Sequence, residues 1–210
     1  MSRPHSVLAF DTQLTTLAET EHSLLGLGSA VSLPEDVTVC THMVRDSGVP
    51  HYGYSIAFSS APTPRLLQEL CNHFAPWPYD YSDHPHAESL SLALTIVAAQ
   101  AWSGDGGRAV HFPGWTRFRG ELSIGEVLSD TMIDRVDALG GTSPQTSDVL
   151  HTRDFVRPLF RNGELVLPVM PAGPGGFAPF EVPNPTPCCA VHVRPGDLRV
   201  GRNPTTANHC

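Results

Sequence analysis

The chain contains no lysine, so all 13 of the basic residues among its 210 are arginines. This absence excludes chemistry that depends on a lysine amine: Schiff-base formation, the anchoring of pyridoxal phosphate, and the phosphate-binding lysine of P-loop proteins and protein kinases. The sequence also lacks a GxSxG nucleophile elbow and an HExxH zinc motif. The remaining catalytic options are histidine, carboxylate and thiol groups.

Positive charge and long apolar runs are scarce as well. The 21 acidic residues outnumber the arginines and give a net charge of −8, which argues against binding to nucleic acid or to an anionic membrane surface through bulk charge. The longest apolar stretch, residues 90–102, is too short to cross a bilayer, and the run Val7–Phe10 is too short for a secretory signal. We therefore expect a cytoplasmic protein.

Cysteines are few, odd in number and irregularly spaced. This usage favours free thiols over a disulfide framework. The five cysteines are Cys40, Cys71, Cys188, Cys189 and Cys210.

Turn-forming residues are plentiful, with 20 prolines and 18 glycines. We expect one α+β domain over residues 1–182, with a mixed antiparallel sheet, two β-hairpins and three to four helices. A Pro-rich C-terminal extension follows over residues 183–210, and its lack of aromatic residues predicts a disordered tail.

Alternating apolar residues predict the strands. Strands at 37–44 and 50–59 form the first hairpin. The second joins strands 149–160 and 164–170 through Asn162–Gly163, a strong hairpin-turn signal. A further strand at 177–182 extends the second hairpin into a meander. Seven prolines between positions 168 and 187 predict that these last strands lie at sheet edges.

Capping signals and helical periodicity predict four helices. One spans 11–25, with Asp11 as its N-cap, and one begins at Thr63–Pro64. A largely apolar helix covers about 85–102 and is expected to be buried on most sides. A helix over 123–139 carries the capping-box pattern of a serine followed three residues later by a glutamate.

The best candidate metal site lies in the segment 80–88, where His84, His86 and Glu88 could form a two-histidine, one-carboxylate site for zinc or non-haem iron. The three side chains converge only if the chain from His84 to His86 is extended before the helix begins, and Pro85 permits this conformation. Asp80 or Asp83 would then be a candidate general base. The alternative interpretation is a solvated first helical turn, in which Glu88 interacts favourably with the helix dipole.

A second group lies on the first hairpin. Cys40 and His42 share one face of their strand, and a two-residue loop would place His42 directly opposite His51. The alternative is a thiol packed as a small apolar group beside polar histidines. A third group of soft ligands lacks a CxxC pair, which favours a tail with incidental thiols; its members are Cys188, Cys189, His192, His209 and Cys210.

The loop at 74–81 favours recognition of a partner. Trp77, Tyr79 and Tyr81 alternate with prolines and acidic or small residues, and exposed Trp and Tyr side chains are frequent binding anchors. The alternative is a loop folded over the core, with the side chain of Trp77 packed into it.

Residues 37–74 run strand, turn, strand (YGYSIAF) and then a proline-started helix (PTPRLLQELCNHF). This order resembles part of the Suppressor-of-fused-like domains, in which a Thr-Gly-Leu-Ser-type strand end precedes a strand and a tryptophan-containing, Leu-rich helix. This chain has Thr41-His-Met at the strand end and lacks the tryptophan where the helix begins. The resemblance implies an α+β domain that binds protein partners and has no catalytic residues.

Taken together, these features predict a non-enzymatic protein-interaction or binding domain. The alternative function is that of a metal-dependent enzyme, with zinc or non-haem iron as the divalent metal at His84, His86 and Glu88.

Overall fold

The two predicted hairpins are the units around which the sheet is built. A computed structural model of the chain describes residues 4–45, 49–73, 79–80 and 92–182. Within these residues it has four helices: α1 (Leu17–Ala30), α2 (Pro64–His73), α3 (Leu92–Ser103) and α4 (Ile124–Asp130). Its eleven strands are β1 (Ser6–Leu14), β2 (Thr38–Val44), β3 (His51–Phe58), β4 (Tyr79–Asp80), β5 (Arg108–His111), β6 (Glu121–Ser123), β7 (Arg135–Ala138), β8 (Val149–His151), β9 (Leu159–Arg161), β10 (Glu164–Pro171) and β11 (Gly176–Pro179).

All the described strands belong to one mixed sheet. Its order is β4-β1-β3-β2-β5-β9-β10-β11-β8-β6, and β7 pairs separately with β10. Most neighbours are antiparallel, including the two hairpins β2–β3 and β9–β10, whereas β7–β10 and β8–β11 are parallel. The chain is therefore a single α+β domain, as the sequence predicts. No helix within the described residues has both the length and the apolar character needed to cross a membrane.

The two faces of the N-terminal part of the sheet are covered by different helices. Strand side chains alternate between faces, so one set of residues on β1 and β3 packs under α1 and α2. The buried residues of this core include Leu8, Phe10, Tyr54 and Ile56 from the strands, and Leu24 and Leu70 from the helices. The opposite set packs against α3 through Ala9, Val44, Ala93, Val97 and Ala98. A separate core forms between α4 and the C-terminal strands.

The predicted helix at 11–25 is wrong at both ends. Asp11 belongs to β1, which pairs with β3 up to Leu14, so backbone ladder bonds replace the expected cap. The helix begins after Thr16, whose hydroxyl accepts a hydrogen bond from the Glu19 amide (3.3 Å) and donates one to the Glu19 carboxylate (2.6 Å). This Thr-x-x-Glu pattern is the capping signal that marks the start of the helix, in place of Asp11. The helix then continues past residue 25, through Gly26 and Gly28, to Ala30.

The predicted helix at 123–139 is correct only in its first half. The Ser123–Glu126 capping box is present, but α4 ends at Asp130 and the backbone of Thr131 is extended. Residues 135–138 instead form β7, parallel to β10. The spacing of Ile133 and Val136 suits a helix, but both side chains are buried in the C-terminal core by a different backbone path.

Two strand predictions also need correction. The segment 149–160 contains two short strands, β8 and β9, which pair with different partners. The prolines do not confine β10 to an edge, because three strands share it: β9 pairs with Glu164–Val166, β7 with Val166–Val169, and β11 with Val169–Pro171. Pro168 lacks an N–H but still contributes its carbonyl, which accepts a hydrogen bond from Phe180 N (3.0 Å).

Candidate functional site

The residues predicted for metal and partner binding lie mainly outside the described residues. This holds for His84, His86 and Glu88, and also for Trp77 and Tyr81. Tyr79 is described only as a backbone position in β4, opposite Ala9 of β1. Among the described residues, no group of three or more His, Cys, Asp or Glu side chains is placed to hold a metal ion. The metal site and the aromatic loop therefore stay predictions.

The first hairpin has a different register from the one expected. His42 lies opposite Gly53, and His51 lies opposite Val44, because the connection between the strands is longer than two residues. The prediction that His42 faces His51 is therefore wrong. His51 instead has its Nε2 atom 3.0 Å from an Asp11 oxygen.

His42 lies in a buried line of polar groups that joins β2, β3 and α3. Its Nδ1 donates to the Gln100 side-chain oxygen (3.0 Å), and its Nε2 accepts from the Ser55 hydroxyl (2.8 Å). Burial lowers the pKa of His42 to about 4, against a smaller raising effect of Gln100. A base of such low pKa is a poor acceptor for a serine proton. The order Ser55, His42, Gln100 resembles that of a nucleophilic triad, but we assign these three residues a structural role.

Cys40 lies beside this line and is equally unsuited to nucleophilic chemistry. It is 4% exposed, and burial raises the pKa of its thiol far above neutrality. The reactive form of cysteine is the thiolate, which this environment disfavours. Cys40 and Ser55 form part of the wall of a cavity of about 220 Å³. The interpretation of Cys40 as a small apolar group therefore agrees with its surroundings.

A larger cavity of about 310 Å³ lies between α1, β5 and the loop that follows β8. We call it the Trp115 cavity, after the tryptophan in its lining. Trp115 is 40% exposed and so marks the opening to solvent. The inner wall is apolar and includes Leu24, Leu33, Val39, Val110, Phe118 and Val156.

The local sequence fixes Trp115 at this position. After β5 the chain turns through Phe112-Pro-Gly114, and the amide of Trp115 donates to the Phe112 carbonyl (2.9 Å). Gly114 has φ +83°, and a Cβ atom there would lie 2.6 Å from the Asp130 carbonyl oxygen. Only glycine combines this backbone conformation with so close an approach. A short 3₁₀ turn, Trp115–Arg117, follows directly.

His111 lines the cavity and has one buried ring nitrogen, Nε2, without a hydrogen-bond partner among the described residues. Burial lowers the pKa of His111, and the Pro34 carbonyl opposes this effect. The imidazole ring lies 5.3 Å from the ring of Trp115, centroid to centroid. At neutral pH the cavity is therefore lined by an uncharged imidazole.

Two of the charged residues that line the cavity, Glu21 and Arg157, belong to one ionic network. Glu21, which lines the cavity, accepts hydrogen bonds from both Arg108 and Arg157, and Arg108 also binds Glu181 at 2.5 Å. The guanidinium of Arg157 lies 4.2 Å from the ring centroid of Phe155. This network holds α1 against β5 and the loop after β8. Two arginines balance two glutamates, so the network adds no net charge.

No protein-family model, curated protein or solved structure matches this chain. The resemblance to Suppressor-of-fused-like domains therefore stays a prediction. The candidate site is assigned from its geometry.

Sequence reasoning missed the Trp115 cavity, although one signal was present. The segment 111–115 (HFPGW) contains a tryptophan close to a proline, which is the pattern that singled out Trp77. Further lining groups come from α1, from Leu33 and Val39, and from residues 154–157, which are far apart in sequence. Only the folded chain brings them together.

Proposed function

We propose that the chain is a non-enzymatic interaction domain that captures a segment of a protein partner at the Trp115 cavity. The observation that carries the proposal is an open, mainly apolar cavity with a partly exposed tryptophan at its mouth. Tryptophan is among the residues that most often dominate binding energy at protein interfaces. A cavity of this size accepts one large side chain, and the rest of the partner segment would lie across the mouth.

The polar groups around the cavity favour binding over catalysis. Glu21 and Arg157 bind each other, and the Asp154 carboxylate accepts a hydrogen bond from the Gly120 amide (3.0 Å). Groups engaged in this way hold the walls in place but are poorly disposed to transfer protons. Pre-formed walls reduce the ordering cost of binding.

The proposed partner is a protein, not a nucleic acid, because the chain carries a net charge of −8 and Arg157 in the cavity lining is paired with Glu21. We also propose a cytoplasmic location. The described free thiol of Cys40 is compatible with a reducing compartment.

Selection from a random peptide library displayed on phage tests this function. We expect the full chain to enrich peptides that contain a large aromatic or aliphatic residue. Their affinity should fall at least about tenfold for Trp115→Ala, the size of a typical interface hot spot. Phe180→Ala is the matched control, because Phe180 is also an exposed aromatic residue (54%) but does not line the cavity. Failure to enrich any peptide, or equal binding to both variants, would contradict the proposal.

A further inference from the structure

The charged residues that line the Trp115 cavity differ in whether their charge is engaged. These residues are Glu21, Arg119, Asp154 and Arg157. Glu21 binds Arg157, and the Asp154 carboxylate accepts a hydrogen bond from the Gly120 amide (3.0 Å). The side chain of Arg119 makes no hydrogen bond or ion pair with any described residue. Its guanidinium therefore offers N–H donors to a ligand.

The backbone on both sides of Arg119 is held in place. Arg119 directly follows Phe118, which is buried in the inner wall of the cavity. The next residue, Gly120, is bound by Thr152, whose amide and hydroxyl both donate to the Gly120 carbonyl at 2.8 Å. Arg119 itself is exposed to solvent and also lines the cavity. A group that enters the cavity from solvent therefore meets this side chain at the mouth.

The state of the neighbouring arginines indicates which anion the mouth suits. Arg157 is paired with Glu21, and Arg117 lies 3.3 Å from an Asp130 oxygen. Phosphate groups are recognised by clusters of arginines, whereas the two oxygens of a carboxylate match a single guanidinium. Among the described residues that line the cavity, one arginine is available, so a carboxylate fits better than a phosphate.

We propose that the partner segment carries an aspartate or glutamate within two residues of the apolar side chain that it inserts, and that this carboxylate binds Arg119. The inference rests on the proposed function and specifies the chemistry of the partner beside its apolar anchor. A residue one or two positions from the anchor lies within about 7 Å of it along an extended chain, which is close enough to reach the mouth.

The charge of the whole chain limits what this pair contributes. The chain is acidic, with a net charge of −8, and Asp154 lies in the same lining, so a run of acidic residues would be repelled. One carboxylate at Arg119 avoids this repulsion. Such a pair determines the position and orientation of the segment more than its affinity.

The composition of the library-selected peptides gives the first test. Peptides whose binding to the full chain depends on Trp115 should carry an acidic residue within two positions of a large apolar residue more often than the unselected library. The best such peptide is then compared with a version in which that glutamate or aspartate is replaced by glutamine or asparagine. Fluorescence anisotropy of the labelled peptides should show about two- to fivefold weaker binding of the amide version, the size expected for an exposed ion pair.

The Arg119→Gln variant assigns the preference to one residue. It should bind the acidic peptide and its amide version with equal affinity. Arg161→Gln makes the same change at an exposed arginine that does not line the Trp115 cavity, and it should retain the preference. A preference that persists in Arg119→Gln would overturn the inference. If Arg119→Gln does not fold, the salt dependence of the unaltered chain decides, because salt screens an exposed pair; a preference that added salt leaves unchanged would also overturn it.

Further outcomes keep the inference and the proposed function distinct. Peptides that bind through Trp115 without an acidic residue near the anchor would overturn the inference and leave the proposed function standing. Failure to enrich any peptide would contradict both. Binding of phenylacetate as tight as that of the best peptide would show a small-molecule site, and self-association that Trp115→Ala abolishes would show a second copy of the chain in the cavity. Either result would overturn the assignment to an acidic partner segment.

Discussion

Two histidines on the same sheet, His42 and His111, differ in what surrounds each ring. His42 has both nitrogens satisfied, by Gln100 and Ser55, and it joins strands to a helix. His111 has an unsatisfied nitrogen and lies in the wall of a cavity. Burial lowers the pKa of both residues. Residue type alone does not tell how a histidine is engaged in the fold, whereas the partners of its ring nitrogens do.

The low pKa of His42 predicts how stability depends on pH. Its pKa is about 4 in the fold, whereas a histidine in the unfolded chain titrates near its ordinary value of 6.5. Between these values the unfolded chain binds the extra proton, so the free energy of unfolding falls as pH falls from about 6.5 to about 4. The contribution of His42 is on the order of 3 kcal/mol, fully present above pH 6.5. His111 acts in the same direction.

Urea denaturation at a series of pH values measures this effect. His42 is hydrogen-bonded to Gln100 and Ser55, and Gly107 lies against its ring; none of these groups ionises between pH 4 and 6.5. We expect His42→Gln to be less stable at neutral pH and to lose much of the slope. The same slope in His42→Gln as in the unaltered chain would contradict the assignment, and His151→Gln is the exposed control.

Gly114 gives a second prediction at this scale. An alanine there would combine a positive φ with a Cβ 2.6 Å from the Asp130 carbonyl oxygen, so we expect Gly114→Ala to lower the free energy of unfolding by about 2–4 kcal/mol. Gly120 is the matched control, because its φ is also positive (+62°) but nothing lies within 4 Å of the added carbon. Gly120→Ala should cost only about 1 kcal/mol. Equal losses, measured by thermal unfolding, would show that the close approach does not matter.

At the scale of elements, the position of α1 depends on Glu21. Its carboxylate binds two arginines that belong to β5 and to the loop after β8, and its side chain is 18% exposed. Removing one member of a largely buried ionic network leaves the charges of its partners buried and unpaired. We expect Glu21→Gln to lower the free energy of unfolding by about 2–3 kcal/mol.

The exposed pair on α2 gives the control for this change. Glu69 binds Arg65 at the i,i+4 spacing, and the side chain of Arg65 is 89% exposed. Exposed pairs of this kind contribute little, so Glu69→Gln should cost less than about 0.5 kcal/mol. Equal effects of the two substitutions in chemical denaturation would contradict the role given to Glu21.

The elements that could be predicted are those with a local signal. Thr63 caps α2, Ser123 and Glu126 cap α4, and Asn162–Gly163 joins β9 to β10 with positive φ at both residues. The incorrect predictions concern segments whose partners are distant in sequence. Residues 135–138 have a helical apolar spacing, but pairing with β10 determines their conformation. Hydrogen bonds to a strand that is distant in sequence leave no signal in the local sequence.

The candidate site of the whole molecule also depends on residues that are distant in sequence. The predicted site residues lie close together in sequence, in the segment 77–88. This segment is largely outside the described residues. The Trp115 cavity combines groups more than a hundred residues apart, such as Leu24 and Val156. The metal-dependent alternative at His84, His86 and Glu88 stays a prediction.

The proposed function requires that a protein segment bind at the Trp115 cavity. Its most direct test is to map the backbone amides of the ¹⁵N-labelled full chain that shift when the best library-selected peptide is added. We expect the largest changes to cluster at Val110, His111, Trp115 and Phe118, with Phe180 unaffected. Changes that cluster at another surface, with the Trp115 cavity unaffected, would contradict the proposed function.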